Sequence, residues 1–76
     1  MLEKYDNVFI ECFGVKKSDL ENLKYQDVKA WDSVGHMAMV GELEDTFEIE
    51  MDIEDIIDIS SYTKGKEILE RYGVEV

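Results

Sequence analysis

The chain has 76 residues and a net charge of −11, from 19 acidic and 8 basic side chains. That is enough for one small domain but little for a deep active-site cleft, so a binding or carrying role is favoured over self-contained catalysis. Apolar residues make up 45%, too many for a disordered acidic tail. The single cysteine excludes an internal disulfide and fits a reducing compartment.

The opening residues include Glu3, Asp6 and Glu11, where a signal peptide would have a basic start and an unbroken apolar core. No apolar run approaches bilayer-spanning length. The expectation is a soluble, cytoplasmic monomer that is not an enzyme.

Taken in order, Leu2, Tyr5, Val8, Phe9, Cys12 and Phe13 recur at helical spacing, with Gly14 as a stop. They predict a first helix over Leu2–Phe13, with Cys12 an inert core residue. The stretch from Val15 to Trp31 is less regular. Ser18 is placed to cap a short turn reaching Asn22, and Leu20, Leu23, Tyr25 and Val28 are apolar anchors that pin the segment to a core. So long a connection is uncommon in a compact domain, and it allows the helices on either side to run parallel.

Asp32 is a good N-cap for a second helix over Ser33–Phe47, with Trp31 ahead of it as a hydrophobic staple. A short third helix follows Asp52 as cap and has Ile53, Ile56 and Ile57 as its apolar face. Ser60 or Ser61 caps the fourth, whose stripe is Tyr62, Gly65, Ile68, Leu69 and Tyr72, and Gly73 closes it. The predicted fold is all-α: a small four-helix bundle over residues 1–76, with a long loop between helices 1 and 2 and a short helix 3.

The second helix has two apolar faces. His36, Met39, Val40, Leu43 and Phe47 form the natural core stripe. Val34, Met37, Ala38 and Gly41 lie opposite, continued by the acids Glu44 and Asp45. A helix at the rim of a small bundle buries one stripe, so the second patch is expected at the surface, where charge-rimmed apolar area marks a docking site. Methionine suits a surface that meets several partners.

Charge is concentrated in the same region. From Ala30 through Thr63 there are ten acids and no Lys or Arg. Such a field repels nucleic acid and anionic lipid and attracts basic protein surfaces. No nucleic-acid or membrane partner is therefore expected.

The run Trp31-Asp32-Ser33-Val34-Gly35-His36-Met37 resembles the Asp-Ser-Leu signature of the acyl carrier protein family. The likeness extends over nearly the whole chain: helix order, loop length, central motif, acidic second helix, and Ile49-Glu50-Met51 at its exit. Val34 departs from the usual leucine, and the family's proline near Asp52 is missing. Asp32 favours the acyl type over peptidyl carriers, whose motif has glycine and histidine before the serine.

The resemblance implies that Ser33 carries 4'-phosphopantetheine, transferred from coenzyme A by a phosphopantetheinyl transferase, with Asp32 capping the helix beside it. Cargo is then held as a thioester for acyl- or aminoacyl-loading ligases and acyl-processing enzymes with basic docking surfaces. By the same resemblance Val34, Met37, Ala38, Gly41, Glu44 and Asp45 form the docking strip. His36, Met39 and Leu43 face the interior, where the cargo is sheltered; for Met39 and Leu43 plain core packing is the better account, and both readings can hold.

Three rivals are weaker or of another class. A serine hydrolase built on Ser33 and His36 lacks the glycine two places before the serine, where Trp31 stands. Asp52, Glu54, Asp55 and Asp58 fail the calcium-loop pattern, with Ile57 and Thr63 at its glycine and glutamate positions. An unmodified acidic helical adaptor for basic partners uses the same charge and the same Met37 patch.

Overall fold

The computed structural model describes residues 2–76. The fold is all-α. Helix α1 spans Leu2–Phe13, α2 Ser33–Phe47, α3 Ile53–Asp58 and α4 Tyr62–Arg71, and a 3₁₀ turn at Lys17–Asn22 interrupts the connection from α1 to α2. Among the described residues there is no strand. An isolated antiparallel bridge pairs Lys24 with Ser61. The Cα radius of gyration is 11.0 Å, matching the roughly 11 Å of one packed unit of this length.

Local chemistry explains the boundaries. Gly14 and Gly73 take the left-handed conformation just beyond α1 and α4, at φ of 64° and 82°. The Asp32 carboxylate accepts from the Gly35 N–H at 2.8 Å, which caps α2. The Ser61 hydroxyl does the same for α4, accepting from Lys64 N–H at 3.0 Å. Two expected caps are replaced. The 3₁₀ turn begins at Lys17, and it is Asp19 that accepts there, from the Lys16 N–H at 3.3 Å, so Ser18 is not its cap. Asp52 occupies the N-cap of α3 with no capping bond from its side chain; its N–H instead donates to the Tyr72 hydroxyl at 2.9 Å.

The core is aromatic at its centre. Tyr5, Phe9 and Phe13 from α1 meet Trp31 and Tyr62. Trp31 stacks on Phe13 at 4.7 Å and stands edge-on to Phe9. Met39, Val40 and Leu43 from α2 and Ile68 and Leu69 from α4 complete it, all essentially inaccessible. Each such large side chain contributes about 1.5–3 kcal/mol by leaving water. Cys12 is half-buried rather than in the core, and burial followed by the nearby Glu42 and Glu11 charges raises its thiol pKa.

Helix α3 is held differently. It contributes no fully buried residue. Of the apolar face read from its sequence, Ile56 packs half-buried against the core, whereas Ile53 and Ile57 are 74% and 73% exposed. Its neighbours anchor it. Met51 and Ile59 on either side are buried. The Tyr72 hydroxyl donates to Asp55 at 2.5 Å, and Arg71 lies 3.6 Å from the same carboxylate.

A buried polar relay joins α1 to α4. The Tyr5 hydroxyl donates to the Tyr62 carbonyl at 2.6 Å, and the Tyr62 hydroxyl donates to the buried Asp6 carboxylate. Burial raises the Tyr5 pKa, with the Tyr62 and Asp6 charges adding to it. For Tyr62, burial and then the bond to Asp6 act in the same direction. Both folded values exceed the unfolded value of about 10. Their contribution is therefore complete below about pH 10 and is lost as pH rises through the folded values. Urea midpoints should hold steady up to about pH 10 and fall above it, with tyrosine absorbance at alkaline pH appearing together with loss of helical circular dichroism. Ionisation of all four tyrosines in the still-folded protein would contradict this.

Candidate functional site

The site is assembled where the long connection meets the start of α2. Residues 24–31 form two successive turns: Asp27 N–H to the Lys24 carbonyl and Trp31 N–H to the Val28 carbonyl, each at 3.0 Å. Gln26 N–H closes back on the Trp31 carbonyl at 3.1 Å. The same segment is tied to the entry of α4, with Tyr25 N–H on the Ser60 carbonyl at 2.9 Å and Tyr62 N–H on the Leu23 carbonyl at 3.0 Å.

Trp31 then drops into the core, fully buried, and Asp32 opens α2. The staple expected at this point has an unusual partner, the His36 ring one turn into the helix. The two ring planes are nearly parallel, at 13°, and Trp31 Nε1–H donates to His36 Nδ1 at 3.0 Å. With Nδ1 accepting, His36 carries its proton on Nε2, which donates to the Ile56 carbonyl of α3 at 2.7 Å. His36 is thus a half-buried bridge between the core tryptophan and α3, with both nitrogens used.

Ser33 is exposed at the first position of α2. Its hydroxyl lies 3.3 Å from the Tyr25 hydroxyl, and its neighbour Asp32 is committed to the cap. No bond joins Ser33 to His36, whose nitrogens face Trp31 and Ile56, so the pair is not arranged as nucleophile and base.

Gly35 is required for this geometry. A Cβ at that position would stand 1.9 Å from the Ala30 carbonyl oxygen, a contact with backbone that no rotamer relieves. Gly35→Ala is expected to cost about 1–3 kcal/mol through this overlap and to displace the turn that presents Ser33. The urea midpoint should fall clearly below that of the wild type; an unchanged midpoint would show that the junction yields freely.

Beside Ser33 lies a cleft of about 340 Å³, lined by Tyr25, Ser33, His36, Met37 and, across from them, Ile56, Ile57, Ile59 and Ser60. Its walls are mostly apolar, and none of these residues is Lys or Arg. Of the residues expected to face a sheltered cargo, His36 lines the cleft. Met39 and Leu43 do not: both are wholly inaccessible in the core, so packing is their role in this structure.

The second apolar face of α2 is at the surface. Val34 is 79% and Met37 54% exposed, and Ala38, Gly41 and Asp45 are exposed as well. The strip divides along its length. Met37 borders the cleft near Ser33, whereas Ala38 borders a shallow hollow against α1, with Val8, Glu11, Cys12 and Glu42. Glu44 is engaged within the chain. It is half-buried, and its carboxylate accepts from the Met51 N–H at 2.9 Å, which holds the exit from α2. That exit turns on Glu48 in the left-handed conformation, φ 54°.

Sequence reasoning missed four contributors. Tyr25, expected as a core anchor, is 36% exposed and faces Ser33. Ile56 and Ile57 form the far wall of the cleft. Gly35 is the close approach that lets the turn sit on the helix. Only Gly35 carried a local signal, a glycine in the first turn of an otherwise well-formed helix.

Comparison of the chain with protein-family models, with curated proteins and with solved structures finds no match. No described helix is long and apolar enough to cross a membrane.

Proposed function

We propose that this chain is a carrier of the acyl carrier protein type: a four-helix bundle with a long first loop whose Ser33 holds 4'-phosphopantetheine. The observation that carries the reading is an exposed serine hydroxyl at the first turn of α2, behind a capping aspartate and at the edge of an apolar cleft. The Asp32-Ser33-Val34 run and the surrounding helix order supply the family resemblance.

The residues present fit such a group. Ser33 Oγ is accessible. The N–H groups of Ser33 and Val34 precede the first intrahelical bond, which runs from His36 N–H to the Asp32 carbonyl, and so face an anion at the helix start favourably. The arm supplies a terminal thiol that carries cargo as a thioester, and tethering raises the cargo's concentration at the next active site. The chain itself need catalyse nothing.

Val34 and Met37, with Ile57 across the cleft, form the apolar part of a docking surface, and Asp45 its acidic flank. The ten acids between Ala30 and Thr63 speed encounter with basic enzymes and make binding salt-sensitive. Glu44 contributes charge from a carboxylate already bonded within the chain. Fatty acyl, polyketide, aminoacyl and hydroxyacyl cargo are all compatible with an arm of this kind.

The test is intact mass. Protein isolated from its own host, or incubated with coenzyme A, magnesium and a phosphopantetheinyl transferase, should gain one phosphopantetheine. A chain that stays bare under both conditions is the unmodified adaptor, recognised by salt-sensitive capture of basic partners with no mass change.

A further inference from the structure

The long connection does more than join two helices, because it delivers one hydroxyl to the proposed anchor. We propose that Tyr25 donates a hydrogen bond that orients the Ser33 oxygen before modification and holds the phosphodiester after it. This deepens the carrier reading and rests on it.

The geometry is specific. Tyr25 Oη and Ser33 Oγ are 3.3 Å apart. The Tyr25 backbone is fixed by its bond to Ser60. Its ring stands edge-on to Trp31 at 6.2 Å and to His36 at 5.7 Å, and those two rings are locked together by their own hydrogen bond. The hydroxyl is therefore aimed by a rigid base, which lowers the entropy lost when it binds.

Charge explains why a neutral donor belongs here. A phosphodiester on Ser33 would sit one residue from the Asp32 carboxylate, in a segment without Lys or Arg from Ala30 to Thr63 and beside a cleft lined by neither. Besides the helix-start N–H groups, the Tyr25 hydroxyl is the donor the structure places against the anchor oxygen.

Chemistry fixes the direction of the bond. In the transfer, Ser33 Oγ forms a bond to the phosphorus bearing pantetheine. The bond from that phosphorus to the oxygen of adenosine 3',5'-bisphosphate breaks, and the serine proton passes to the transferase. The modified oxygen has no proton left, so Tyr25 must be the donor in the product. If it also donates beforehand, the serine proton stays free to leave and a lone pair stays free to attack. One orientation serves both states.

Tyr25→Phe removes the hydroxyl and keeps the ring against Trp31 and His36. The loading kcat/KM with coenzyme A and a transferase, read by intact mass, should fall roughly three- to tenfold, the worth of one hydrogen bond. The ³¹P resonance of the holo protein should differ between wild type and Tyr25→Phe when folded and coincide in urea, a difference that loosened packing alone would not produce at unchanged melting temperature. In the unaltered holo protein, a proton–phosphorus Overhauser contact to the Tyr25 ring reads the same geometry without a variant. Equal loading rates with coincident folded ³¹P lines, or no Overhauser contact, would overturn the assignment. Wild-type protein that loads normally while Tyr25→Phe matches it defeats Tyr25 alone; wild-type protein that never loads defeats both readings.

Discussion

Ser33→Ala should gain no mass from coenzyme A and a phosphopantetheinyl transferase, while keeping the helical circular dichroism and melting behaviour of the wild type. The two halves of this expectation have separate causes. Loading requires an accessible oxygen nucleophile at the start of α2; of the other serines near the site, Ser61 caps α4 with its hydroxyl, and Ser60 lines the cleft but lies outside the Asp32-Ser33-Val34 run. Stability requires the cap, which belongs to Asp32, and the core, to which exposed Ser33 contributes nothing. Alanine is also the better helix former in the first turn. The only side-chain bond lost is the 3.3 Å contact with Tyr25, and Tyr25 can turn to water. A Ser33→Ala protein that still became heavier would place the arm elsewhere and remove the basis for the carrier reading.

Trp31→Ala should be the most damaging single change to the fold, costing about 3–5 kcal/mol. A domain of 76 residues has in total about 4–11 kcal/mol, at 0.05–0.15 kcal/mol per residue. The variant should therefore lose from about a quarter to all of that margin. Trp31 is wholly buried, stacked on Phe13 and edge-on to Phe9. It also satisfies His36 Nδ1, and its removal leaves that acceptor to be solvated through a cavity. Trp31→Phe should recover much of the packing but not the bond to His36, so its stability should fall between the two. Urea unfolding followed by circular dichroism measures all three proteins. A Trp31→Ala midpoint close to wild type would mean that the junction between loop and helix does not depend on this side chain.

Much of the framework was legible because it is periodic. The stripes of α1 and α4 repeat every three or four residues, and Asp32, Ser61, Gly14 and Gly73 are residues whose chemistry marks helix ends. The outward face of α2 was legible for the same reason, since a helix carrying two apolar stripes cannot bury both at the edge of a small domain. What escaped is tertiary. Tyr25 reads as an anchor because tyrosine is large and apolar for most of its length, and nothing local says that two turns bring its hydroxyl back to Ser33. The isoleucines of α3 read as a core face because they are the only apolar residues in that helix. Yet six residues make too short an element to dictate which side meets the core, and the buried anchors Met51 and Ile59 lie just outside it. Glu44 reads as one more surface acid, because its bond to the Met51 N–H depends on where the chain leaves α2.

The attachment of α3 has a dynamic consequence. With no inaccessible side chain of its own, this segment is fastened by a histidine imidazole at one carbonyl and a tyrosine phenol at its opposite edge. Releasing those clasps uncovers Ile56, which is only half-buried, so the amides of α3 should exchange with deuterium sooner than those of α1. Because Ile56 and Ile57 line the cleft opposite Ser33, such an opening would widen the space beside the serine.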